Sequence, residues 1–218
     1  MRVAGAMAAF LVSLLSTSVS AAAASTPALT PGSTLRMWDA DDASSAVCTA
    51  GFVARNRRGT AVLLDAGHCD RGGDVTMRAG SGGRQVPVGG FVVTEYAGND
   101  DKDTDIGVVR LSKDIPLHAD IAGTIPVTGA LPYVVPGQTL CKIGAVTGRS
   151  CGRVIDASPT KVKFAAAIAP GDSGGPVFGL KDDGTAVAVG ITIRSTDDGL
   201  TVAELIGPWL QRWNLTID

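Results

Sequence analysis

The chain has 218 residues, and its 19 Lys and Arg against 21 Asp and Glu give a formal charge of -2. That length accommodates one large domain or a pair of small packed barrels. The near balance of charge excludes a broad cationic surface for nucleic acid. The one basic run of note, RNRR at Arg55 to Arg58, lies between apolar stretches and ends at Gly59, which predicts a solvated hairpin turn.

Residues 1–24 predict a signal peptide. Arg2 precedes the apolar stretch VAGAMAAFLV, and small residues around Ala22 to Ala24 satisfy the A-x-A cleavage preference. The apolar section is short for a membrane span and is interrupted from Ser13 onward; an uncleaved anchor is the competing reading. Export follows, giving a secreted, extracellular protein with no membrane attachment once the signal is removed. Residues 25–44, rich in Pro, Ser and Asp, predict a loose leader, which leaves 45–218 as the folded domain.

Export makes the four cysteines, Cys48, Cys69, Cys141 and Cys151, candidates for disulfides. Four cysteines allow three pairings, and spacing alone does not choose among them. The local pairs would each close a modest loop, worth about 3 kcal/mol. A zinc site is the weaker alternative, because no pair has C-x-x-C spacing and the chain has two histidines.

From Ala46 the pattern is that of strands. AVCTAGFVAR and GTAVLLDAGHC flank the basic turn, and RQVPVGGFVVTE and DIGVVRLS follow. Twenty-eight Gly and 11 Pro punctuate the chain at short intervals, which fits short strands joined by tight turns. One helix is predicted, in IGPWLQRWNL, with Pro208 in its first turn. Trp209, Leu210 and Trp213 then share one face and read as a core anchor.

The chemistry concentrates in APGDSGGPVF, where Ser173 stands among glycines. A nucleophilic serine needs a base, a carboxylate to fix the base's tautomer, and donors for the oxyanion. His68, at the end of an apolar strand and beside Cys69, is the candidate base. His118, after Pro116, reads as a loop residue. Asp105 directly precedes the apolar run Ile106 to Leu111 and is the candidate carboxylate; Asp100, Asp101 and Asp103 read as solvated loop charges. That acidic stretch is a poor calcium loop, lacking the glycine at the sixth position and the terminal Glu. The N–H groups of Gly171 and Ser173 are the candidate oxyanion donors. GDSGG also fits the G-x-S-x-G elbow, but that fold places a histidine after the serine and none follows Ser173. An order of Asp105, His118 and Ser173 would need alternating helices that the pattern lacks. The order His68, Asp105, Ser173 belongs to an all-β protease.

These residues resemble the chymotrypsin-type (trypsin-like) serine peptidases, in the compact bacterial branch of streptogrisin and α-lytic protease. AGHC, DIGVVRL and GDSGGPV match the three catalytic motifs, and LCKIGAVTGRSCG matches that branch's disulfide-closed segment. The resemblance covers about residues 45–215 and implies two packed six-stranded Greek-key β-barrels with a short C-terminal α-helix. The N-terminal barrel (about 45–120) would carry His68 and Asp105, the C-terminal one (about 121–205) Ser173, with the helix at about 206–214. It implies the pairings Cys48–Cys69 and Cys141–Cys151, and a monomeric secreted endopeptidase acting on polypeptides without metal or cofactor. The competing reading is a binding module of weak or no turnover on the same fold. Lys142, standing where that branch has arginine, is expected to pair with Asp172 and hold the Gly171 N–H in place. Departures from the family fall at the substrate pocket. Ile193, Arg194 and Ser195 form its expected wall, with Ile193 replacing a serine whose hydroxyl supports the catalytic aspartate. Ala167 is expected at the base, which argues against Lys/Arg specificity. No cysteine brackets the nucleophile in AAAIAPGDSGG. With little between the signal and the first strand, folding without a pro-domain is expected.

Overall fold

The structure is a computed structural model, and it describes Met1 and residues 27–79, 83–98 and 104–218. The expected signal peptide and the acidic residues Asp100, Asp101 and Asp103 lie outside the described residues. Seven strands come first: β1 (Thr34–Asp39), β2 (Ser45–Thr49), β3 (Val53–Asn56), β4 (Ala61–Asp65), β5 (Gly72–Ala79), β6 (Arg84–Tyr96) and β7 (Asp105–Leu111). Seven more follow: β8 (Val127–Ala130), β9 (Thr139–Gly144), β10 (Gly148–Ala157), β11 (Lys161–Phe164), β12 (Pro176–Leu180), β13 (Ala186–Ser195) and β14 (Thr201–Leu205). The helix α1 (Gly207–Trp213) and a last strand, β15 (Leu215–Ile217), complete the chain.

The strands form two sheets, as in the two-barrel trypsin fold. The first runs in the order β15-β3-β4-β7-β6-β5-β1-β2. In the second, β12-β9-β10-β11-β14-β13 closes on itself through β12–β13 pairing, and β8 joins β13 in parallel. Closure removes the exposed edges that an open antiparallel sheet would present. The RNRR segment turns between β3 and β4, with Arg57 and Arg58 exposed.

β7 is the spine of the first sheet. It pairs with β4 on one side and β6 on the other, so Val109 lies between Leu63 and Phe91. Asp105 to Val109 are buried without a break, which explains the unalternating apolar run DIGVV. Leu63, Leu64, Phe52 and Ile106 fill the core beneath it, while Leu140, Val162, Phe164 and Val177 fill a second core in the closed barrel.

One expectation is corrected. Residues 27–44, the described part of the expected loose leader 25–44, are not loose: β1 lies there and pairs with both β2 and β5. Leu29 is fully buried and Leu35 and Met37 nearly so, at 0%, 1% and 1% exposure. Leu35 and Met37 alternate with Thr34, Arg36 and Trp38, the period of a half-buried strand, but the Pro, Ser and Asp around them hide that signal. After the C-terminal helix a short strand that the sequence did not predict, β15, returns to pair with β3. In α1 the apolar face is as expected: Trp209 is 7% exposed and its ring centroid stands 4.9 Å from that of Trp213.

Candidate active site

His68 and Asp105 meet across neighbouring strands. β4 ends at Asp65 and passes into a single 3-10 turn, Gly67–Cys69, while β7 begins at Asp105. Asp105 Oδ1 accepts the His68 backbone N–H at 2.9 Å, and Asp105 Oδ2 lies 2.7 Å from His68 Nδ1. A buried carboxylate only accepts, so the Nδ1–H tautomer is held and Nε2 is left as the basic nitrogen. The turn has no room for a side chain at its first residue. A Cβ on Gly67 would stand 2.8 Å from the Glu95 carbonyl oxygen and 3.0 Å from that of Ile106. The Cys48–Cys69 disulfide ties the last residue of the turn, next to His68, to β2.

Ser173 lies on the loop between β11 and β12. Gly171 has φ +104°, a conformation that a side chain disfavours. Among the described residues neither the Gly171 nor the Ser173 N–H donates to another protein group. Thr49 is the clamp beneath them. Its Oγ1 donates to the Gly171 carbonyl at 2.8 Å and accepts the Ala145 N–H at 2.8 Å. Its own N–H donates to the Ser173 carbonyl at 2.7 Å. One threonine of the first sheet thereby fixes the loop of the second.

Lys142 and Asp172 form a fully buried ion pair, Nζ to Oδ2 at 2.6 Å. Thr147 joins them, accepting from Lys142 Nζ at 2.7 Å and donating to Asp172 Oδ2 at 2.6 Å. Asp172 also accepts the backbone N–H groups of Val146, Thr147 and Ala169, at 3.0, 3.1 and 3.0 Å. Burial pushes the Asp172 carboxyl up, but the hydrogen bonds from Lys142 and Thr147 outweigh it and hold the group down at about 2. For Lys142, burial outweighs the carboxylate and lowers the ammonium below its ordinary value. Cys141–Cys151 pins β9 to β10 beside Lys142. With all four cysteines in disulfides, none is left for zinc.

His68 and Ser173 line one open cleft of about 1090 Å³. No hydrogen bond joins their side chains among the described residues; His68 Nε2 lies 4.0 Å from Cys69 Sγ. Ile193, Arg194 and Ser195 line the cleft, together with Lys163, Asp197 and Asp198, which the sequence did not single out. Ala167 does not. It is exposed and off the cleft, its N–H spent on Ser150 Oγ at 2.8 Å, and Ile168 lines the wall in its place. His118 lies on a surface loop, 3.7 Å from Asp120.

A further carboxyl lies beside these groups. Asp65 is fully buried; its Oδ1 accepts the Ala66 N–H at 2.8 Å and its Oδ2 has no partner among the described residues. Burial raises this carboxyl well above its ordinary value; the Ala66 bond opposes that, and the Asp105 charge adds to it.

The fold agrees with comparisons to known proteins. The family model described as Trypsin matches residues 38–203, and the chain belongs to that family. An uncharacterized protein of Mycobacterium tuberculosis (strain CDC 1551 / Oshkosh), MT1863, is 32% identical over 157 residues, and the match spans 66% of this chain and 66% of that protein's length. Among solved structures, an alpha-lytic protease homolog, N4, is 27% identical with a TM-score of 0.66, covering 88% of this chain and all of that one, 100%. Protease A of Thermobifida fusca is 25% identical with a TM-score of 0.65, covering 88% of this chain and 98% of that one. No helix among the described residues is long and apolar enough to cross a membrane.

Proposed function

We propose that the chain is a secreted serine endopeptidase. His68 takes the proton of Ser173 as Oγ attacks a peptide carbonyl; Asp105 holds the imidazole and stabilises its charged form. The N–H groups of Gly171 and Ser173 receive the oxyanion, each donor being worth about 3 kcal/mol of barrier. His68 then protonates the leaving amine, and water repeats the cycle on the acyl-enzyme. The observation that carries this reading is the doubly bonded His68–Asp105 pair facing, across one cleft, a serine flanked by two unspent N–H groups. Hydrogen bonds to a nucleophile are often long without substrate and tighten in the complex.

The cleft carries Lys163 and Arg194 as well as Asp197 and Asp198. Two disulfides and the leader-like N-terminus favour an oxidising, extracellular compartment.

A fluorophosphonate probe tests the proposal. Labelling of the folded protein that disappears in Ser173→Ala is the expected result. Folded protein that takes no label would instead support a binding module.

A further inference from the structure

Behind Asp105 lies a buried charge pair that the proposed chemistry does not use. Glu204, on β14, is 1% exposed, and its Oε2 stands 2.6 Å from Lys161 Nζ on β11. The same Oε2 accepts the Asp105 backbone N–H at 3.3 Å, and Oε1 accepts the Trp209 indole N–H at 2.9 Å. One carboxylate thus joins β7, β11, β14 and α1 at the first residue of the strand that carries Asp105. The carboxylate of Asp105 itself takes its two bonds from His68. Glu204 therefore holds that residue from the backbone side, leaving both oxygens for the histidine.

The charges around the network come from every neighbouring element. Asp105 and His68 stand in front of it, the buried Asp65 ends β4 beside Asp105, and Lys161 is the cation in direct contact. On α1, Arg212 lies over the Trp209 ring at 5.2 Å and is bonded to Glu95 at 3.1 Å. Lys163 and Arg194 lie on the cleft side of β11 and β13.

We infer that Glu204, neutralised by Lys161, is a positioning residue for the His68–Asp105 pair, fixing the start of β7 across the interface between the two sheets. The inference rests on the proposed peptidase reading for its effect on turnover, but not for its effect on His68. Removing Glu204 alone leaves a buried cation facing Asp105, which favours the anionic form of the acid and disfavours protonated imidazole.

The test uses the full chain and two double variants in which the buried charge is gone. Lys161→Met with Glu204→Gln keeps an acceptor for the Asp105 N–H; Lys161→Met with Glu204→Leu removes it. The His68 imidazole is titrated by NMR, and kcat and KM are measured on a peptide substrate. The expected result is a wild-type titration and turnover in the glutamine variant. The leucine variant should show a displaced His68 titration and a kcat at least tenfold lower at unchanged KM. Folded double variants that both match wild type in titration and kcat overturn the inference. If the leucine variant does not fold, Lys161→Met with Glu204→Met, which likewise removes the acceptor for the Asp105 N–H, decides by the same two readouts, and a wild-type titration and kcat in it overturn the inference. A wild-type chain that cleaves nothing, yet whose His68 titration separates the variants, refutes the peptidase reading while supporting the positioning role.

Discussion

Lys142 Nζ and Asp172 Oδ2 stand 2.6 Å apart with neither side chain exposed, immediately before Ser173 in the chain. The pair holds Asp172 on the inner side of the loop, and in the proposed mechanism that placement orients the N–H groups of Gly171 and Ser173 as oxyanion donors. Breaking a buried pair by removing one partner costs about 3–5 kcal/mol, because the remaining charge is left without compensation. Lys142→Ala should therefore lose about that much in urea unfolding, and should lose turnover as the N–H pair loosens. Turnover and stability unchanged in that variant would refute the role.

Acid should act on the same pair with a definite sign. Asp172 is held down at about 2 in the folded chain, below its unfolded value. Its contribution to stability is present above the ordinary carboxylate range, and it disappears as pH falls from about 4 toward about 2. Thermal melts across that window should drop for wild type and be flatter for Asp172→Asn, which has no proton to take up.

Asp65 should act with the opposite sign. Its carboxyl is raised in the folded chain, so its contribution is full at low pH, where folded and unfolded forms are both protonated. As pH rises past the ordinary carboxylate value, the unfolded chain releases the proton and stability is lost. Asp65→Asn, neutral at all pH, should match wild type near pH 3 and melt higher at pH 7. Equal melting temperatures at both pH values would exclude a buried protonated Asp65.

Thr49→Val keeps the shape and removes the hydroxyl that bridges Gly171 and Ala145. Two buried backbone groups then lose a partner, at about 1–3 kcal/mol for each such group. The expected outcome is lower stability and a kcat reduced about tenfold with KM little changed, since the oxyanion donors move more than the cleft wall. Steady-state kinetics beside a denaturation curve would separate the two effects.

The motifs AGHC, DIGVVRL and GDSGGPV were legible because each is local: a strand end, a strand start and a tight loop. The Lys142–Asp172 pairing was legible through resemblance alone, as 30 residues separate its members. Thr49, Thr147 and Glu204 were not, since a threonine or glutamate in a strand or a turn gives no sign of a partner that the fold brings from as far as 122 residues away. β1 was hidden by the polar residues around it. Ala167, expected at the pocket base, lies off the cleft while its neighbour Ile168 lines it, because past the end of β11 sequence spacing no longer fixes which way a side chain points.

β15 has a consequence for how the molecule is made. Its three residues border β3, so the N-terminal sheet takes its outermost ladder from the far end of the polypeptide. During synthesis that border stays open until residue 217 has emerged. Melting should accordingly be a single event shared by both sheets, and trimming a few C-terminal residues should weaken the half of the molecule that was translated first.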